Sequence, residues 1–212
     1  MKTSDDGRAF IEEFEGLYLH DYDDGTGVIT IGYGHTNLAG VPPKVFKGQR
    51  ITEAEADAIL AADLAAVERD VERFIKVPMT QSQFDALVSF HFNTGALGKS
   101  SIDDKINAGN GAAAMSTLLM YDHAGGRQMD GLTRRRQAEL LLFTGQVSQA
   151  MKLAGAKTKT PMPQAPTRPP IVILPSNPVH PPIDVPPIDT KPASGWAAFF
   201  AAILSIFKRK TP

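Results

Sequence analysis

Within the first 36 residues the chain places a glutamate, Glu15, nine positions before an aspartate, Asp24, which stands six positions before Thr30. A Gly-Tyr-Gly-His turn, Gly32 to His35, follows after one isoleucine. Cleaving the acetal bond between two sugars requires a proton for the departing oxygen and compensation for an oxocarbenium-like transition state. Two carboxyl groups in unlike surroundings can supply both. One must keep its proton near neutral pH, which a poorly solvated pocket favours. The other must stay ionised, which water and hydrogen-bond donors favour. Glu15 follows Phe10, Ile11 and Phe14 and precedes Leu17, a setting that half buries its carboxyl. Asp24 lies in Asp23-Asp24-Gly25-Thr26-Gly27, residue types that make a solvated tight turn. The flanking runs, Tyr18–Tyr22 and Val28–Ile31, read as short strands. A hairpin built from them returns Thr30 beside Asp24, where a hydroxyl could orient an attacking water. Taken alone, the same residue types also suit an ordinary acidic hairpin.

Read as one run from Glu15 to Thr36, this segment resembles the active-site segment of the phage-type lysozymes, a glycoside hydrolase family with the same Glu, Asp and Thr spacing and a Gly-x-Gly-His turn. The similarity extends over residues 5–147 and includes Gly131-Leu132-Thr133-Arg134-Arg135-Arg136, which matches the family's Gly-Leu-x-x-Arg-Arg. The resemblance implies an α+β, lysozyme-like fold: a mainly helical lobe, a small N-terminal antiparallel sheet and a cleft between them. It implies that Glu15 is the general acid, that Asp24 acts on the attacking water or as a nucleophile, and that Thr30 assists it. His35 and Asp63 are implied to form a structural ion pair. Either Arg135 or Arg136 is implied to approach Glu15 from behind and position it, and the two remain alternatives. Phe92, in Phe92-Asn93-Thr94-Gly95, is implied to contact substrate at the cleft wall. The implied substrate is the β-1,4 bond between N-acetylmuramic acid and N-acetylglucosamine in bacterial peptidoglycan. Two rival readings are a lytic transglycosylase, which needs only the acid, and a non-catalytic wall-binding module. The Asp24–Thr30 pair favours hydrolysis over the first, and neither it nor Glu15 is needed by the second.

The elements that would hold these residues are legible from periodicity and caps. Ser4 can cap a helix over residues 4–14, with Asp5 and Asp6 at its positive end and Phe10, Ile11 and Phe14 on one side; Gly7 weakens it. Residues 37–50 read as loop. Thr52 and Glu55 form a capping box for a helix over 52–76, whose stripe is Leu60, Leu64, Val67, Val71 and Phe74. Asp63 lies near that stripe and requires a cationic partner if buried. Thr80 and Gln83 open a second boxed helix through Phe92, on which His91 reads as an interior histidine. Shorter helices are expected near 101–108 and 112–121, then a loop over 121–126. A triple arginine ordinarily marks a solvated helix face.

Composition narrows the function classes. With no cysteine, disulfide frameworks and thiol catalysis are excluded. The five histidines lack zinc-ligand spacing, so no metal or cofactor is expected. Residues 1–156, the expected catalytic domain, hold 15 Lys and Arg against 21 Asp and Glu, which argues against nucleic-acid binding. Residues 157–212 hold 7 against 2. Twelve of the sixteen prolines lie between Pro161 and Pro192, so residues 157–195 read as an extended linker reaching up to ~120 Å at ~3.1 Å per residue. Residues 196–212 read as an amphipathic helix with a basic end, its stripe formed by Trp196, Phe199, Phe200, Ile203, Leu204 and Phe207. Its apolar part is about 18 Å long against a hydrocarbon core of ~30 Å, which suits binding to an anionic membrane surface better than spanning. The N-terminal residues contain no apolar run, so no signal peptide or N-terminal anchor is expected. The resemblance implies an enzyme made in the bacterial cytoplasm and released to the cell wall through a holin-type pore, and a monomer is expected.

Overall fold

The computed structural model describes residues 1–23 and 27–156; Asp24, the linker 157–195 and the terminal segment 196–212 lie outside the described residues. Helix α1, Asp5–Glu15, begins where the Ser4 hydroxyl accepts from the Gly7 amide at 3.0 Å. It buries Phe10 and Ile11 completely and stops at Gly16, whose positive φ of 71° a glycine adopts without strain. Glu15 is thus the last helical residue, delivered to the edge of the sheet that follows.

That sheet has three antiparallel strands in chain order: β1 (Tyr18–Asp23), β2 (Ile29–Gly32) and β3 (His35–Thr36). Tyr22 faces Thr30 and Ile31 faces His35 across the ladders. Near its open end, the Asp23 carboxylate accepts from the Gly27 amide at 3.2 Å. The following loop carries its own order. Asn37 donates to the Val45 carbonyl at 2.7 Å and accepts from the Val45 amide at 2.8 Å, cinching residues 37–45.

Both capping boxes are formed. They start α2 (Glu53–Phe74) and α3 (Gln81–Thr94). On α2 the buried stripe is Leu60, Leu64, Val67 and Val71. Helix α3 is buried on every side from Gln83 to Asn93, as a helix at the centre of a domain must be. Around it pack α1, α2 and α6 (Asp130–Phe143). Helices α4 (Ile102–Asn107) and α5 (Gly111–Leu119) pack together, and Asn110 caps α5 by accepting from the Ala113 amide. Gly7 is required by packing: a β-carbon there would lie 2.5 Å from the Asp85 carboxyl carbon of α3. Asp85 in turn accepts from the Ser4 amide and hydroxyl, tying the start of α1 to α3.

Two elements depart from the expected layout. Residues 121–126 were expected as loop. Instead β4 (His123–Ala124) and β5 (Arg127–Gln128) form a hairpin, because Gly125 and Gly126 both take positive φ, the requirement of a tight two-residue turn. After α6 a further helix, α7 (Val147–Ala154), packs on α6 and α1 through Ala150, Met151 and Ala154. Among the described residues no helix is long and apolar enough to cross a membrane.

Candidate active site

The Glu15 side chain is 1% exposed, and Arg135 Nη1 donates to its Oε1 at 2.6 Å. Arg135 comes from α6, so the acid of one helix is held by a residue 120 positions later. Burying a carboxylate is costly unless it is paired, and a guanidinium at this distance is a strong partner. Arg135 is itself fixed. Its Nε reaches Glu139 at 3.3 Å, its Nη2 lies 3.4 Å from the Ser89 hydroxyl, and its cation sits 5.2 Å from the Phe14 ring centroid.

Consecutive helical residues point about 100° apart, so three adjacent arginines cannot share one environment. Arg134 stays exposed. Arg135 turns to Glu15. Arg136 is fully buried, donating from Nη2 to Asn93 at 2.8 Å and to Glu139 at 2.9 Å. Burial draws its pKa down to about 10 despite the adjacent Glu139. Of the two arginine alternatives, Arg135 is the one that touches Glu15, and Arg136 stands behind it.

Glu139 was not singled out by sequence reasoning. It is completely buried and accepts from Ser89, Arg135 and Arg136 together. The signal was present: an acid four after one arginine and three after another is positioned to pair with both on a helix. Glu15, Glu139, Arg135 and Arg136 thus form one buried hydrogen-bonded cluster.

His35 and Asp63 meet as a buried pair. Nδ1 of His35 lies 2.8 Å from Asp63 Oδ2, and Nε2 lies 2.8 Å from the Pro43 carbonyl. Both ring nitrogens face acceptors, an arrangement that requires both to carry protons. Burial opposes that charge, but the Asp63 carboxylate and the Pro43 carbonyl outweigh it and raise the His35 pKa. The pair fastens β3 and the loop to α2. His91 behaves differently. Its Nδ1 accepts from the Leu97 amide, and burial lowers its pKa, so it is a neutral interior histidine.

Thr30 is 1% exposed on β2, and its hydroxyl faces the Val28 carbonyl at 3.5 Å. Asp24, its expected partner, lies outside the described residues. The expectation for Phe92 needs correction. Its ring is 2% exposed and belongs to the core around α3, so it offers no face on which a sugar could stack.

A helical body with a small sheet, and a buried glutamate where the two meet, defines a lysozyme-type glycoside hydrolase. The phage lysozyme family matches residues 12–139. The endolysin of Acyrthosiphon pisum secondary endosymbiont phage 1 is 37% identical over 149 residues, covering 68% of this chain and 98% of that one. The endolysin of Bacillus phage B103 is 37% identical over 164 residues, covering 76% of this chain and 60% of its own length. Among solved structures, the muramidase domain of SpmX from Asticaccaulis excentricus superimposes with a TM-score of 0.60 at 35% identity, covering 67% of this chain and 97% of that one. The chain belongs to the phage lysozyme family and is a peptidoglycan-cleaving lysozyme.

Proposed function

We infer that the enzyme is a muramidase, hydrolysing the β-1,4 bond between N-acetylmuramic acid and N-acetylglucosamine. The observation that carries this reading is the Glu15 carboxyl: a 1% exposed side chain at the end of α1, held from behind by Arg135. A proton donor fixed in that way has one orientation to offer the departing sugar oxygen. In this reading Glu15 donates the proton. Asp24 activates water or attacks the anomeric carbon, and Thr30, on the strand returning from that turn, assists it. The endolysin relatives and the muramidase-domain neighbour support the same bond and a role in lysing a host cell.

Purified peptidoglycan treated with wild type and with Glu15→Gln tests this, with the released sugars read by mass spectrometry. Reducing muramic-acid ends from wild type alone are expected. Anhydro ends would replace hydrolysis by transglycosylation, and binding without release would leave a wall-binding module.

The sequence of residues 157–212 supports a second part of the proposal. A proline-rich linker joins the catalytic domain, residues 1–156, to a basic, apolar segment at 196–212 that binds an anionic bilayer from the aqueous side. The enzyme would act as a monomer in the periplasm after release from the cytoplasm through a holin-type pore. Deleting residues 196–212 is expected to abolish binding to phosphatidylglycerol vesicles while peptidoglycan hydrolysis persists. Vesicle binding that survives the deletion would remove the membrane role.

A further inference from the structure

Strand β1 carries two tyrosines, Tyr18 and Tyr22. Tyr18 and Tyr22 stack on each other, with ring centroids 4.5 Å apart and planes tilted by 44°. Both are half-buried. Among the described residues the tyrosines that pack on the hydrophobic core are Tyr33 and Tyr121, not this pair. Large aromatic surface left partly in water loses most of the stabilisation that burial would supply.

Their position gives that surface a use. Tyr18 lies three residues after Glu15, and its ring abuts the intervening backbone: a β-carbon on Gly16 would meet Tyr18 Cε2 at 3.8 Å. Tyr22 stands opposite Thr30 in the β1–β2 ladder. Directly paired residues project to the same side of a sheet, so Tyr22 shares the face of Thr30. The register is irregular between Tyr18 and Tyr22, and the ring contact shows that Tyr18 remains on the same side. The pair therefore lies on the strand that leads away from Glu15, on the face that Thr30 shares.

A pyranose ring presents axial C–H bonds as an apolar face and hydroxyl or N-acetyl groups around its rim. A tyrosine ring offers the matching apolar face and a phenol that can exchange hydrogen bonds with the rim. We propose that Tyr18 and Tyr22 form a stacking subsite beside Glu15 for an N-acetylated hexopyranose of the glycan chain. The inference builds on the muramidase reading and assigns it a sugar-binding surface that Phe92, buried in the core, cannot supply.

The test uses the full chain and soluble glycan strands freed of their peptides. Tyr18→Ala is expected to raise KM about tenfold while kcat stays within about twofold. Tyr18→Phe keeps the ring and is expected to retain most of the wild-type KM. An unchanged KM in Tyr18→Ala overturns the subsite. Should Tyr18→Ala fail to fold, a second measurement decides. Glu15→Gln protein is titrated with the same glycan, and the Tyr18 and Tyr22 ring protons are followed by NMR. Shifts that saturate with the glycan support the subsite, and rings unmoved at saturating glycan overturn it. The titration needs no cleavage. A wild type that releases no sugar ends, with Tyr18 still shifted by glycan, would remove the muramidase reading and keep the subsite.

Discussion

Arg135 and Glu15 are joined by a 2.6 Å charge-assisted hydrogen bond with both side chains almost fully buried. The arginine is therefore part of the acid's own setting. Arg135→Ala would leave the buried Glu15 and Glu139 each short of a hydrogen-bond donor. Breaking such a pair costs about 3–5 kcal/mol. Thermal melts should show that loss. In whatever fraction remains folded, kcat should fall by about a hundredfold, the scale of misplacing a catalytic group by an ångström. Arg135→Lys should recover part of the stability and less of the rate, because an ammonium cannot span Glu15, Glu139 and Ser89 at once.

Glu139→Gln keeps the shape and removes one buried negative charge. Arg135 and Arg136 would then share Glu15 as their sole acid in the cluster. A loss of about 3 kcal/mol is expected in urea denaturation. Catalysis should fall as well, since Glu139 holds Arg135 through its Nε while Nη1 reaches Glu15. A Glu139→Gln protein with wild-type stability and rate would show that the cluster needs no balancing acid.

The His35–Asp63 pair predicts a pH dependence of stability. In the folded protein the His35 pKa is raised from its ordinary value of 6.5. Its contribution is therefore complete below about pH 6.5, where the unfolded chain is also protonated, and is lost as pH rises through the folded-state pKa. Wild type should exceed His35→Asn in stability most clearly at mildly acid pH. The margin should narrow toward alkaline pH. Denaturant midpoints of both proteins across that range measure it, and a margin that widened with pH would contradict the charged pair.

Gly7→Ala sets two effects against each other. Alanine is favoured over glycine in a helix interior by about 1 kcal/mol. The added β-carbon would sit 2.5 Å from the Asp85 carboxyl carbon, and overpacking of this kind costs about 1–3 kcal/mol. The clash also falls on a carboxylate that holds Ser4, so the net effect should be destabilising. A lower melting temperature for Gly7→Ala is the expected result.

The helical framework could be read ahead of the structure because its start signals are local. Thr52 with Glu55, and Thr80 with Gln83, need only their own turn to form. The identity of the residue facing Glu15 was not local. Periodicity indicates that adjacent arginines diverge, but deciding which one turns inward requires knowing how α6 packs on α3. Phe92 was misread for the same reason: sequence does not reveal that α3 is enclosed on all sides. The β4–β5 hairpin hid behind two short strands with no apolar alternation. Helix α7 is preceded by Gln146, which makes no side-chain cap, so its beginning lacked the usual mark.

The order in which the ribosome delivers these parts matters. The glutamate, aspartate and threonine of the motif all emerge within the first 30 residues, before the helices that bury Glu15. Arg135 and Glu139 arrive near the end of the described fold and reach back to seat the acid. A nascent chain that has not reached α6 thus carries Glu15 and Thr30 but lacks the arginine that seats Glu15. The setting of Glu15 is completed only when residues 135–139 arrive, together with the closing of the helical body around α3.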